Sequence, residues 1–263
     1  MSSNGDDRTH LVHEARKTIK RMRALARLLR REIGKQEFRQ VNASLRDAAK
    51  RLAGARDAQV RLSTLEDLRE LYPDQLCGEP IQALLVRLAS MRADPEPPEQ
   101  QPATLADIAE MRRDLLRWRL FDHEDDALTT GLRSIYRDGR RRYSRAKRSH
   151  GRDPIAMHDW RKRVKSLYYA LDMLGGKQNT ATAKLTRRAN RLGETLGLEH
   201  DLWMLADFLQ SEARLDRQTR ELLLALIERR RERLRRRALK LGARLYSRKP
   251  RRFAARAGRA LSR

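Results

Sequence analysis

Apolar residues recur every three or four positions along most of this chain, which is the spacing of one face of an α-helix. Between about residues 10 and 33 they form a narrow apolar seam: Val12, Ala15, Ile19, Met22, Ala26, Leu29 and Ile33. Similar spacing predicts further helices near residues 40–54, 57–71, 80–92, 104–119, 124–149, 154–174, 181–197, 199–212 and 216–246. Alternating Val, Ile and Thr runs bounded by hairpin turns are missing, so we expect an all-α fold.

Glycine and proline divide the pattern. The segment 94–102 holds four prolines and is the best candidate for a linker between two halves. We expect a single domain over residues 6–246, made of repeats at about 6–100 and 104–246. The basic residues 247–263 are predicted to form a mobile tail.

The two halves share a sequence motif. His13-x-x-Arg16-Lys17-x-x-Lys20 returns as His158-x-x-Arg161-Lys162-x-x-Lys165, which lies 145 positions later, as His13 and His158 show. The apolar seam returns in the same register, with Trp160, Val164, Leu167, Leu171 and Leu174. A second echo pairs residues 52–57 with residues 196–201, so Arg56-Asp57 corresponds to His200-Asp201. Two blocks in one register predict an internally duplicated helical unit.

The net charge of the chain indicates what kind of partner it binds. The 263 residues contain 60 Lys and Arg against 35 Asp and Glu, giving a formal charge of +25 at pH 7. Such an excess of cations predicts a polyanionic partner.

Cysteine content and hydropathy suggest a compartment. The lone Cys77 excludes an intrachain disulfide and suits a reducing environment. The start of the chain is polar, and no apolar run approaches the roughly 18 residues of a membrane span. We therefore expect a cytoplasmic protein without a membrane segment.

On a helix, positions i, i+3, i+4 and i+7 project to one side, so each motif forms a cationic strip about two turns long. An anion would relieve the repulsion within a strip, although neighbouring Glu14 and Asp159 could instead neutralise it. The histidine that heads each strip adds a group that titrates near physiological pH. We therefore expect anion affinity to rise as the pH falls from about 8 to 6.

Through the two motifs and the later Arg56-Asp57 and His200-Asp201 blocks, the chain resembles the CHAD family, the conserved histidine α-helical domain. The resemblance implies two helical bundles related by an internal pseudo-twofold, packed around a central basic groove or pore. It also implies binding of inorganic polyphosphate and localisation to polyphosphate granules. The implied polyphosphate-binding residues are His13, Arg16, Lys17, Lys20, Arg23, Arg56, His158, Arg161, Lys162 and Lys165. Ser166 and Tyr168 replace the matching Arg21 and Arg23, so we expect two half-sites of unequal strength.

Two alternatives stay open. A helical protein that binds nucleic acid without sequence specificity needs only the net charge and the arginine-rich run 229–237. A polyphosphate- or triphosphate-processing enzyme is less favoured, because the sequence shows neither a clustered acidic motif for Mg²⁺ nor a glycine-rich phosphate loop. We expect no catalytic residue, no metal site and no cofactor. The pattern carries no expectation about oligomeric state.

Overall fold

A computed structural model describes the backbone of residues 3–52, 54–93, 100–116, 118, 124–174, 180–212 and 214–258. It describes the side chains of residues 11–52, 57–91, 105–115, 118, 126–174, 182–212 and 214–257. Within these residues the chain is all-helical, as predicted, and contains no strand. The helices are α1 (Ser3–Leu28), α2 (Gly34–Arg51), α3 (Gly54–Leu71), α4 (Glu79–Ala93), α5 (Gln100–Leu116), α6 (Glu124–Arg148), α7 (Pro154–Leu174), α8 (Thr180–Ser211), α9 (Arg217–Leu245) and α10 (Pro250–Gly258).

Local chemistry fixes several helix ends. The Asp153 carboxylate accepts a hydrogen bond from the Ala156 amide at 3.0 Å, and Pro154 opens α7 at a position where its missing N–H costs nothing. Helix α9 begins similarly, with Asp216 accepting from the Thr219 amide at 2.8 Å. At the end of α6 the chain turns through Gly151, whose φ of 77° suits glycine.

Buried apolar side chains form three clusters. The first joins α1, α2 and α5 and includes Ile19 and Leu45. The second joins α3 and α4 to the second half of α8 and the first half of α9, through residues such as Leu65 and Leu205. The third joins α6, α7, the first half of α8, the end of α9 and α10. Most residues of the predicted seams are buried: Ala15, Ile19, Met22, Ala26, Leu29, Trp160, Val164, Leu167 and Leu171. The remaining three, Val12, Ile33 and Leu174, are partly buried.

Helix α7 is anchored in the third cluster by Trp160, which is fully buried. A methyl group at Gly242 of α9 would lie only 2.6 Å from the Trp160 ring and 2.8 Å from the Tyr143 ring. Glycine therefore lets α9 approach these rings closely. This contact fixes the rotation of α7, and hence the direction in which its polar side chains point.

The structure corrects three boundaries. Residues 247–263 were expected to form a mobile tail, but residues 250–258 form α10, whose buried Phe253 stacks on Tyr136 with ring centroids 3.8 Å apart. The predicted break near residue 198 is absent, since α8 runs unbroken from Thr180 to Ser211. Helix α5 begins at Gln100, within the predicted linker 94–102, and residues 94–99 lie outside the described part. None of the described helices is both long and apolar enough to cross a membrane.

Candidate functional site

The first motif forms a cationic strip on α1, here called the α1 strip: His13, Arg16, Lys17, Lys20 and Arg23. His13 is exposed, whereas Arg16, Lys20 and Arg23 are partly buried. The Lys17 ammonium lies 3.3 Å from the Glu14 carboxylate, so one predicted salt bridge within this strip is present. The Arg16 guanidinium donates to the backbone carbonyl of Leu52, which caps the C-terminus of α2. The negative end of the α2 dipole therefore holds this arginine.

The second motif forms a matching strip on α7, here called the α7 strip: His158, Arg161, Lys162 and Lys165. Lys162 is exposed, and the other three side chains are partly buried. Asp159, the acid beside this strip, is engaged from the neighbouring helix by Arg142 of α6 at 3.3 Å. The nearest acid on α7 thus has a cation of its own outside the strip.

Two glycines of α8 support the α7 strip. A methyl group at Gly193 would lie 3.3 Å from Cδ and Cε of Lys165, and one at Gly197 would lie 4.0 Å from the Arg161 guanidinium. Arg161 lies against Gly197, whereas Lys165, later in α7, lies against Gly193, earlier in α8. The two helices therefore run antiparallel. The glycines form a shallow notch along which the stems of both cations lie. The sequence echo contains Gly197, but neither Gly197 nor Gly193 was predicted to support the site.

His158 faces His200 of α8 across the same interface, with ring centroids 4.6 Å apart, and His200 stacks in turn on Trp203 at 5.7 Å. Nδ1 of His158 is buried and has no hydrogen-bond partner among the described residues. Burial lowers the pKa of His158, and the cations Lys162 and Arg161 lower it further. Burial, with Arg161 next, lowers the pKa of His200 to about 3. Both imidazoles are therefore held in the neutral form.

The lowered pKa values of His158 and His200 argue against the expectation that histidine protonation raises anion affinity between pH 8 and 6. A histidine whose pKa lies below the ordinary 6.5 takes up a proton only at correspondingly lower pH. His158 is thus poorly placed to gain charge between pH 8 and 6. His200 belongs to the site geometrically, although the sequence analysis did not include it; its signal was the second echo, in which it stands beside Asp201.

A buried ion-pair network braces α8 beside His200. Glu199 is 4 % exposed and accepts from Arg231 at 2.9 Å and from Arg235 at 3.2 Å. Arg235 also reaches Glu228 at 2.6 Å. Two arginines of the run 229–237, which the nucleic-acid alternative relied on, are therefore buried and committed to carboxylates. Leu234 in the same run is buried in the apolar core.

Helices α1 and α7 cross, and polar contacts mark the crossing. Arg27 of α1 donates to the Ser166 hydroxyl at 3.2 Å, and Arg21 of α1 pairs with Asp172 of α7 at 3.4 Å. The order of these contacts makes the two helices antiparallel. Arg23 turns toward α2 and donates from Nε to the Asn42 side-chain oxygen at 3.2 Å. Burial lowers the pKa of Arg23, with Arg46 and Arg163 adding to the effect.

Nine of the ten predicted site residues have described side chains. They lie on two helices and form two strips that do not merge into one cluster. The tenth, Arg56, has a side chain outside the described residues. Among the described side chains, no group of three or more His, Cys, Asp or Glu is placed to hold a metal ion.

Comparison with protein families matches residues 3–210 to the CHAD domain. No curated protein and no solved structure gave a significant match to the chain. The matched region contains both strips, the crossing of α1 and α7, and nearly all of α8.

Proposed function

Because the chain belongs to the CHAD family, we propose that it binds inorganic polyphosphate through the α1 strip and the α7 strip, without catalysing a reaction. Polyphosphate is a flexible polymer with about one negative charge per phosphate. Lys and Arg side chains that neutralise such a chain release its condensed counterions, and this release drives binding. The function needs cations displayed at intervals and no base-reading groups. Association with polyphosphate granules would follow from the same affinity.

The observation that carries the proposal is the electrostatic state of the α7 strip. Exposed Lys162 lies between partly buried Arg161 and Lys165, while the adjacent Asp159 is engaged by Arg142. Like charges one turn apart repel one another unless an anion comes between them. The strip is nevertheless held in place, because its cations pack against glycines of α8 and buried Trp160 fixes the rotation of α7. A polyanion bound along this strip would place negative charge beside exposed Lys162.

The contacts at the crossing support an internal pseudo-twofold, which we include in the proposal. A shift of 145 positions converts Arg27 into Asp172 and Arg21 into Ser166. The contact between Arg27 and Ser166 thereby becomes the contact between Asp172 and Arg21. Two contacts that exchange in this way are what a twofold axis between α1 and α7 requires.

The same contacts give the spacing of the strips. Their midpoints place the crossing near Ala24 of α1 and Tyr169 of α7. The α1 strip is centred about six residues, and the α7 strip about seven and a half residues, before its crossing residue, which is roughly 9 Å and 11 Å at the helical rise of 1.5 Å per residue. The antiparallel arrangement puts the strips on opposite sides of the crossing, about 20 Å apart along the helices. A long polyphosphate chain can engage both strips, whereas tripolyphosphate can occupy only one.

The experiment reverses one lysine in each strip. We expect Lys17→Glu with Lys162→Glu to abolish binding to long-chain polyphosphate while preserving the helical circular-dichroism spectrum. The matched control reverses two exposed lysines outside the strips, Lys50 and Lys240, and changes the net charge equally. The control should lose only a small part of the affinity. Equal losses in the two double variants would reject the strips as the site.

A further inference from the structure

Around the crossing of α1 and α7 lies a group of arginines, of which only Arg23 also belongs to a strip. We call it the arginine cluster: Arg23 and Arg27 of α1, Arg46 of α2 and Arg163 of α7. Arg23 donates to the Asn42 side-chain oxygen at 3.2 Å, and Arg27 reaches the same oxygen at 3.5 Å. Arg27 also donates to the Ser166 hydroxyl at 3.2 Å. Two guanidinium groups thus converge on one neutral amide oxygen.

The charge in this cluster is poorly compensated. Burial, followed by the charges of Arg163 and Arg23, lowers the pKa of Arg27 to about 10. Asp138 of α6 acts in the opposite direction. The Asp138 carboxylate, however, is bound by Arg141 at 2.9 Å, so its charge is shared. Neutral acceptors such as Asn42 and Ser166 satisfy hydrogen bonds without supplying negative charge. Partly buried cations in this state favour an incoming anion.

The position of the cluster matches the gap between the strips. Arg27 lies three residues beyond the crossing residue Ala24, on the side that faces the α7 strip. Arg23 lies one residue before Ala24 and also ends the α1 strip. Since the strips are centred about 20 Å apart, a polymer that follows both of them passes this point.

We propose that the arginine cluster is an oxyanion site that holds a phosphoryl group of the polyphosphate chain midway between the two strips. The inference rests on the proposed function for the identity of the polymer. Arginine suits the task because its planar fork can bind two oxygens of one phosphate. The site joins the strips into one continuous track, in which Arg27 and Arg163 act beyond the duplicated motif.

The first test compares two arginines of α1. We expect Arg27→Gln to weaken binding of long-chain polyphosphate about tenfold, the usual scale for one lost charged contact. The slope of log affinity against log salt should also fall by roughly 0.7 to 0.9 per lost phosphate contact. Arg21→Gln is the matched control, because it removes the same charge from the same helix but from an arginine paired with Asp172. Equal effects of the two substitutions would overturn the proposal.

A second variant guards against a folding defect in Arg27→Gln. Asn42→Asp places a carboxylate where the two guanidinium groups converge, so it should raise the melting temperature and weaken polyphosphate binding. If the arginine cluster only holds α1 and α2 together, Asn42→Asp should raise the melting temperature without any loss of polyphosphate affinity. That result would overturn the proposal. Failure of wild-type protein to bind polyphosphate would reject the proposed function instead. Normal wild-type binding with undiminished binding by both variants would reject the arginine cluster alone.

Discussion

The α1 strip and the α7 strip share a motif but differ in their surroundings. Under the α1 strip, α2 ends at Arg51, and Arg16 donates to the carbonyl of Leu52 at that end. At the matching point under the α7 strip, α8 continues through Gly197, so Arg161 lies along an uninterrupted helix. The Leu52 carbonyl occupies part of the hydrogen-bonding capacity of Arg16. The comparison teaches that one motif can be placed against two different helical surroundings, a helix end under the α1 strip and a continuous helix under the α7 strip.

Acidic neighbours sharpen the contrast. Glu14 is 3.3 Å from Lys17 within the α1 strip, whereas Asp159 beside the α7 strip is bound by Arg142 from α6. The α7 strip therefore keeps more of the charge of its exposed lysine, Lys162, than the α1 strip keeps of the charge of Lys17. We infer that it contributes more to polyanion binding than the α1 strip.

The largest expected effect comes from reversing one lysine at a time. Lys162→Glu should weaken polyphosphate binding about tenfold or more, because it removes an exposed cation and adds repulsion. Lys17→Glu should cost only about threefold, since Glu14 already offsets much of the charge of Lys17. Isothermal titration with long-chain polyphosphate measures both. A larger loss for Lys17→Glu would reverse the ranking of the strips.

A smaller effect is expected from filling the glycine notch under the α7 strip. Gly193→Leu should displace the stem of Lys165 and weaken binding about fivefold, the scale of one charged contact. Gly193→Ala is the control, because Ala49 occupies the matching position in the register of the second echo. We expect it to be tolerated and to raise the melting temperature, since alanine favours a helix by about 1 kcal/mol over glycine. Unchanged affinity in Gly193→Leu would show that the notch does not position Lys165.

The smallest expected effect concerns stability and pH, and only the second half has the required histidine pair. The pKa of His200 falls to about 3 in the folded protein, so between the ordinary 6.5 and 3 the unfolded chain binds more protons. Stability should therefore be complete above pH 6.5 and should decline as the pH falls toward 4. His200→Gln should flatten this decline in melting temperature. Parallel pH profiles for the variant and wild type would contradict the buried neutral state of His200.

The sequence predicted the helices and both apolar seams because each seam faces a core at helical spacing. Helix α10 was missed because a short, basic segment at the end of a chain resembles a disordered tail. Its order depends on the stacking of Phe253 on Tyr136, a contact that the sequence pattern does not show. The continuity of α8 was missed because its apolar spacing was assigned to two helices, 181–197 and 199–212. In the folded protein it is one helix, and Gly193 and Gly197 allow α7 to approach it.

The site was predicted as far as the strips themselves. Helical spacing alone places His13 through Lys20, and His158 through Lys165, on single faces. The His158 and His200 pair and the arginine cluster depend on which helices pack together, which no local pattern specifies. The pKa shifts come from burial, and burial is a property of the assembled fold. The expectation that His158 becomes charged near neutral pH is not supported, because burial lowers the pKa of this histidine.

The most direct measurement is a titration of wild-type protein with long-chain polyphosphate, run beside tripolyphosphate, duplex DNA and single-stranded RNA at roughly physiological salt. The account predicts tight binding to long-chain polyphosphate, much weaker binding to tripolyphosphate because it reaches one strip only, and weak, easily displaced binding to the nucleic acids. Equal affinity for every polyanion would contradict a dedicated polyphosphate track along α1 and α7.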